Sequence, residues 1–207
     1  MKNFTSDNNI VRKVWSRQDT TLFVFAGASA EFALNKAVDW LYFTGKLPAD
    51  PLGRLMSTVK YAKMIVFASE ENAHKAIDSI TYIHKAVEKN RGQVIPDWAY
   101  RDVLFMLIHY SIASFELLDR KMTLQEKEEL YEVFFRMGTR MNIPDLPNTY
   151  QSWLPVREAH MKENLQFTHY TKDLFLQYKK HLGAFRFWIL WEVQKVLCPA
   201  FVTQLLH

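Results

Sequence analysis

The sequence predicts an all-α protein, a single-domain bundle of seven to nine helices. Apolar residues recur at three- and four-residue steps over long stretches, and no segment shows the alternation of a strand. Only six glycines and seven prolines interrupt the 207 residues, which favours long helices. A hydrophobic share of 49% and an aromatic share of 14% exclude a disordered chain. The length suits one domain with a continuous core.

The polarity of the chain suggests two parts. Residues 1–20 are polar and are predicted to form an N-terminal arm or a short opening helix, anchored by Trp15. Residues 21–207 are predicted to form the helical domain. We find no internal repeat and no low-complexity segment that would divide this domain further.

Capping residues and helix-ending glycines and prolines indicate the helix boundaries. In chain order, helices are expected from Thr20 or Thr21 to about Phe43, from Asp50 onwards, from Ser69 to about Lys89, from Pro96 onwards, from Thr123 to near Gly138, from about Tyr150 to Asn164, over residues 165–180, and up to Leu197. Gly183 is expected to be a break or a close contact.

The charge pattern and the single cysteine limit the partners and the compartment. The net charge is +4, and no run of five like charges occurs, which argues against a nucleic-acid partner. Cys198 cannot form an internal disulfide, and the N-terminus shows no signal peptide, so we expect a cytoplasmic protein. The stretches Thr21–Leu34 and Leu182–Leu206 are too short or too interrupted by charge to span a membrane. Peripheral membrane contact through the aromatic C-terminal helix stays open, as does the oligomeric state.

Familiar catalytic signatures are missing from the sequence. It has no Gly-rich phosphate loop, no G-x-S-x-G, no Cys-x-x-Cys and no His-Glu-x-x-His. Glu71 and His74 form one Glu-x-x-His pair, the spacing that carboxylate-bridged di-iron helices use, but no second pair occurs. The alternative is that Glu71 belongs to a capped, solvated helix start.

Two histidines are expected on buried helix faces. His84 lies four residues after Ile80 and three before Val87, and His109 lies on the most apolar predicted helix. Each is either a core residue hydrogen-bonded to a carbonyl or an iron ligand. As a ligand it suits haem, because one imidazole nitrogen binds iron while the other donates a hydrogen bond. Arg54 is then a candidate partner for a haem propionate.

Five sequence blocks carry a resemblance to a known family. They are Asp50-Pro-Leu-Gly-Arg54-Leu-Met-Ser-Thr58, Ile83-His84-Lys85-Ala86-Val87, Leu107-Ile108-His109-Tyr110-Ser111, Met122-Thr-Leu-Gln-Glu-Lys-Glu-Glu-Leu-Tyr131, and Ile143-Pro144 with Leu146-Pro147 and Thr149. They are similar to D-P-x-G-R-L-x-x-T, I-H-x-x-V, W-V-H-x-x, L-S-x-x-E-x-x-x-Y-Y and V-P…L-P-x-T of the rubber oxygenases (latex-clearing proteins) and the mycophenolic-acid oxygenase MpaB. The resemblance runs from about Phe23 to Leu205.

The resemblance implies a helical fold with a buried haem pocket. It implies a b-type haem whose iron is bound by His84, with Arg54 and Thr58 facing the pocket. His109 matches a motif histidine that is either a ligand or a neighbour of the ligand. The four residues are therefore the predicted cofactor-binding set, and His84 is the predicted metal ligand.

The chain departs from the family pattern at two positions. Ser57 stands where the rubber oxygenases carry a lysine that is a distal iron ligand, and Lys60 is the one nearby residue that could replace it. Glu31 stands where many members have the histidine of Ala-His-Pro. Glu31 is either a proton-transfer group on the distal side or a solvated or salt-bridged helix residue.

The leading functional hypothesis is a haem b-dependent oxygenase or oxidoreductase. It would act on a small apolar substrate with O₂ or peroxide. The alternative is a non-enzymatic helical domain that binds haem or serves as a protein-interaction partner. The reaction type and the redox partner stay open.

Overall fold

The computed structural model describes residues 2–45 and 49–206, without the side chains of residues 51, 52 and 54–56. Within these ranges the chain forms ten helices and no strand, so the predicted all-α single domain is confirmed and the predicted number of helices is too low. In chain order they are α1 (Ile10–Ser16), α2 (Gln18–Leu34), α3 (Val38–Thr44), α4 (Pro51–Val66), α5 (Glu70–Arg91), α6 (Asp97–Leu118), α7 (Leu124–Arg140), α8 (Tyr150–Asn164), α9 (His169–Leu197) and α10 (Ala200–Leu206).

The long first helix expected up to Phe43 is wrong, because the chain leaves the helix at Asn35. Asn35 has an extended backbone (φ −69°, ψ 135°), and its side-chain oxygen accepts a hydrogen bond from the Ala37 N–H at 2.8 Å. A short polar side chain that bonds the following backbone in this way competes with helix continuation. The helix therefore splits into α2 and α3.

The N-terminal segment has the form of an opening helix and not of an arm. Asn9 caps α1 by accepting from the Val11 N–H, and the apolar side chains of α1 are fully buried in the main core. Trp15 packs edge-on against Phe25, with ring centroids 6.0 Å apart. The side chains of α1 therefore belong to the same core as those of the later helices, and the division at residue 20 stays a prediction.

Helices α2 and α6 pack against each other at the centre of the bundle. A Cβ added at Gly27 would lie 2.2 Å from a ring carbon of Tyr110, so glycine at this position lets the Tyr110 ring lie directly on α2. Helix α6 buries eleven side chains, in line with its predicted central place.

The other helices surround this central pair. Helices α1, α7 and α8 pack on α6, and α9 and α10 pack on α2. Helix α9 is kinked at Gly183, whose φ of +76° and ψ of 165° confirm the expected break. A Cβ at Gly183 would meet no atom within 4 Å, so a close contact is not the reason for the glycine.

A three-residue turn joins α4 to α5, and the two helices pack against each other as an antiparallel pair. Asp50 caps α4 by accepting from the Gly53 N–H, and Ser69 caps α5 by accepting from the Asn72 N–H. Both caps were predicted from the sequence. This pair carries two of the five sequence blocks and three of the four predicted cofactor-binding residues, Arg54, Thr58 and His84.

None of the helices in the described ranges is long and apolar enough to cross a bilayer. The second half of α9 exposes four large apolar side chains, Phe185, Trp188, Ile189 and Val196. This is the helix for which peripheral membrane contact was left open, and that contact stays a prediction.

Candidate functional site

His84 lies half-buried in the C-terminal half of α5, against α6. Its imidazole packs on the ring of Tyr100, with centroids 5.2 Å apart. The Tyr100 hydroxyl donates to Glu88 Oε1 at 3.2 Å, and the Ile95 N–H donates to the same oxygen at 2.9 Å. Burial and the Glu88 carboxylate raise the pKa of Tyr100, so its phenol stays protonated at neutral pH.

Among the described side chains, the α4–α5 pair is buried next to its turn and at most half-buried at its other end, which we call the loose end. Next to the turn, fully buried side chains come from both helices: Ile65, Val66, Ala73, Ala76 and Ile77. Farther from the turn, no described side chain of either helix is fully buried. Thr58 on α4 and His84 on α5 both lie in this loose part, and both are half-buried.

The antiparallel register brings three predicted site residues to the same end of the pair. Counted from the turn centre at residue 68, His84 comes sixteen residues later, Arg54 fourteen earlier and Thr58 ten earlier. At 1.5 Å per residue their backbones lie about 24, 21 and 15 Å along the pair. The side chain of Arg54 lies outside the described part of the chain, so its predicted role stays a prediction.

His109 lines a cavity of about 500 Å³ between α6, α8 and α10. Burial, and then the positive charge of Arg157, lower the pKa of His109 to about 3. Its imidazole is therefore neutral at physiological pH.

The two motif histidines face different parts of the molecule. Tyr100, on which His84 packs, and His109 are nine residues apart on α6. Nine residues are two and a half helical turns, about 13 Å along the axis, so the two residues lie on opposite faces of α6. In this arrangement one iron cannot bind both His84 and His109.

A buried ion pair joins α2 to α8. Glu31 is fully buried, Arg157 is 4% exposed, and the Arg157 guanidinium donates to Glu31 Oε2. Burial alone lowers the pKa of an arginine, but the Glu31 carboxylate outweighs this effect and raises the pKa of Arg157. Of the two alternatives for Glu31, the structure therefore has the salt-bridged helix residue.

Helix α6 contributes to the same polar cluster through Tyr110. The Tyr110 hydroxyl donates to Glu31 Oε2 at 3.0 Å and lies 3.6 Å from the sulfur of Cys198. Burial, together with the Glu31 charge, raises the pKa of the Cys198 thiol to about 12. The single cysteine is therefore a protonated, unreactive core residue.

A second buried network surrounds Asp102 on α6. His160 Nδ1 lies 2.6 Å from Asp102 Oδ1, and the side-chain amides of Asn35 and Asn164 donate to Asp102 Oδ2 at 2.8 and 2.9 Å. Sequence analysis missed this cluster. The signal that could have revealed it is a lone aspartate followed by a long apolar run, since a buried carboxylate requires partners.

Glu71 and His74 do not form a shared site. The Glu71 carboxylate pairs with Lys75 at 2.6 Å on the surface, and the His74 ring packs against Phe4. Within residues 2–45 and 49–206, no group of three or more His, Cys, Asp and Glu side chains could hold a bare metal ion.

We expect Arg157→Met to destabilise the protein by about 3–5 kcal/mol, because it leaves the Glu31 carboxylate buried without its cation. The matched control is Arg140→Met, which removes the exposed partner of Asp78 and should cost less than about 1 kcal/mol. Urea denaturation at pH 7 measures both. The double variant Glu31→Leu/Arg157→Met should recover part of the loss. Equal effects of the two arginine changes would contradict the burial argument.

We expect His109→Leu to reduce the loss of stability on acidification. The pKa of His109 falls from about 6.5 in the unfolded chain to about 3 in the folded protein. The neutral His109 therefore makes its full contribution to stability above about pH 6.5. This contribution declines as the pH falls, because the unfolded chain binds a proton at higher pH than the folded protein does. Between pH 7 and pH 5, His109 should lower the free energy of unfolding by about 1–2 kcal/mol.

Urea denaturation of wild type and variant at several pH values tests this slope. The matched control is His169→Leu, since His169 is exposed. A His109→Leu protein as acid-sensitive as wild type would show that the imidazole is not held neutral by its surroundings.

The chain is similar to a known protein family. A family model described as the catalytic domain of ER-bound oxygenase mpaB/B′ and rubber oxygenase matches residues 13–206. Neither the curated proteins nor the solved structures contain a significant match to the chain. The matched range includes both motif histidines and both helices of the α4–α5 pair, which confirms the resemblance seen in the sequence blocks. The chain belongs to the mpaB and rubber oxygenase catalytic-domain family.

Proposed function

We propose that the protein is a haem b-dependent oxygenase or related oxidoreductase that acts on a small apolar substrate with O₂ or peroxide. The observation that supports this most directly is the half-buried His84 at the loose end of the α4–α5 pair. The chain belongs to an oxygenase family, and this histidine is the one that the I-H-x-x-V block matches.

The residues around His84 suit a haem. A porphyrin supplies four ligands to its iron, so one protein imidazole is enough to hold the group. Ile80 and Val87 lie on the same face of α5 as His84 and are also half-buried. From α3, Trp40 and Phe43 contact Arg91 at the same end of α5, with ring centroids 4.0 and 5.3 Å from the guanidinium carbon. A haem slot requires an imidazole that binds the iron and apolar or aromatic side chains that line the slot. The region around His84 has both.

Each predicted residue then has a distinct role. His84 would hold the iron, Thr58 would line the pocket, and the guanidinium of Arg54 would pair with a propionate. Bound haem supplies the iron chemistry that activates O₂ or peroxide. The apolar side chains exclude water and favour an apolar substrate.

Neither Ser57 nor Lys60, the two residues that the sequence offers in place of the rubber oxygenase lysine, is a strong candidate to bind the iron. Ser57 is half-buried on α4, and a hydroxyl is a poor iron ligand compared with the lysine amine of the rubber oxygenases. Lys60 is exposed to solvent, which argues against its replacing that amine. We therefore propose an open distal position, which O₂ or peroxide chemistry requires.

We expect His84→Ala to lose or strongly shift the Soret band of the haem-loaded protein, because the axial imidazole is removed. The matched control is His74→Ala on the same helix, which should leave the band unchanged. Absorption spectra after haemin addition give the result, and circular dichroism should show that both variants remain helical. If His109→Ala removes the haem and His84→Ala does not, the ligand assignment is wrong. A wild-type protein that takes up no haem would favour the non-enzymatic alternative.

We expect the ferric wild-type protein to be predominantly high-spin and to bind imidazole or cyanide readily, because the Ser57 hydroxyl and the exposed Lys60 are poor replacements for the lysine ligand of the rubber oxygenases. Ser57→Lys should convert it towards a low-spin, six-coordinate spectrum that resists added imidazole. Lys60→Ala serves as the control and should change neither property. A low-spin wild-type spectrum that resists imidazole would refute the open site and point to a second protein ligand.

A further inference from the structure

The cavity of about 500 Å³ beside His109 is formed by one face of α6 and one face of α8. The residues that line it recur at helical spacing: His109, Ile112 and Ala113 on α6, and Trp153, Arg157 and Met161 on α8. Its volume lies within the range of small-molecule sites, roughly 300–1,000 Å³. The walls are mainly apolar, so they suit an apolar ligand.

His109 is an uncharged polar group in the wall of this cavity. Its imidazole makes no hydrogen bond to any residue in the described part of the chain. Because the Arg157 charge and burial keep it neutral, it presents one N–H donor and one acceptor nitrogen. A hydroxyl group, which both donates and accepts, can pair with either nitrogen.

The charged side chains that line the cavity are paired with one another or with the core. The Arg157 guanidinium is neutralised by the buried Glu31. At the rim, Lys127 pairs with Glu116 at 2.9 Å. Lys162 pairs with Glu158 at 2.6 Å. A charged ligand would have to compete with these existing pairs, so the site favours an uncharged one.

We infer that this cavity binds a neutral, largely apolar molecule that carries one hydroxyl group, and that it is distinct from the iron site proposed at His84. The two regions contact opposite faces of α6, because Tyr100 packs on His84 and lies half a turn out of phase with His109. Binding at this cavity therefore does not depend on haem.

The test compares two probes of nearly equal shape, 2-naphthol and naphthalene, by equilibrium dialysis against the purified full-length chain. Naphthalene is the more hydrophobic probe, so a purely apolar cavity would bind it at least as tightly. We expect 2-naphthol to bind about 2- to 10-fold more tightly, from one neutral hydrogen bond to His109. Equal affinities, or a preference for naphthalene, would overturn the assignment of a hydroxyl-bearing ligand.

Three variants locate the probe. Ala113→Phe should fill the cavity and abolish binding of both probes, whereas the same change at the exposed Ala184 should leave binding unaltered. His109→Leu should retain naphthalene and lose the preference for 2-naphthol. Binding that survives Ala113→Phe, or a preference that survives His109→Leu, would overturn the proposed site.

His84→Ala separates this inference from the proposed haem function. It should remove haem and leave 2-naphthol binding unchanged. If it abolishes 2-naphthol binding while the protein stays helical, the cavity is part of the iron site and the inference is wrong. If His84→Ala retains both haem and 2-naphthol, the ligand assignment of the proposed function fails and the cavity site stands.

Discussion

The buried ion pair between Glu31 and Arg157 sets the arrangement on which the rest of the molecule depends. Two charges withdrawn from water carry a large desolvation cost, which only close pairing and further hydrogen bonds offset. Tyr110 supplies such a bond to Glu31, and it reaches the carboxylate because Gly27 lets its ring lie on α2. One polar cluster thereby fixes the positions of α2, α6 and α8 relative to one another.

This fixed frame separates two regions with different properties. On one face of α6, Arg157 holds His109 neutral inside a cavity with apolar walls. On the opposite face, the Tyr100 ring supports His84 at the loose end of the α4–α5 pair. The charges near His109 cancel in pairs, whereas the His84 region combines an imidazole with aromatic and aliphatic side chains. We therefore propose an uncharged organic ligand for one face of α6 and an iron porphyrin for the other.

The sequence predicted what depends on local pattern and missed what depends on distant partners. Helix periodicity and caps such as Asp50 and Ser69 are local, so most helices were expected correctly. The break at Asn35 combines a local bond from the Ala37 N–H with a hydrogen bond to Asp102, 67 residues away, and the distant partner could not be predicted from local pattern. Arg157 lies 126 residues from Glu31, so their pairing could not be predicted either. His84 was identified only because its motif resembles a family.

The positions of the buried side chains indicate how the chain could fold before it binds the proposed haem. The buried side chains of the main core come mainly from α1, α2, α6, α7 and α8 and the turn end of the α4–α5 pair, and Val59 and Ile80 of that pair pack against them. Half-buried side chains make fewer dispersion contacts than fully buried ones, so the described side chains of the loose end contribute less stability. A ligand that binds only the folded chain recovers this stability in proportion to RT ln(1 + [L]/Kd). In the proposed haem-bound state the polar cluster around Glu31 would hold the same frame, and the binding free energy of the haem would stabilise the α4–α5 end.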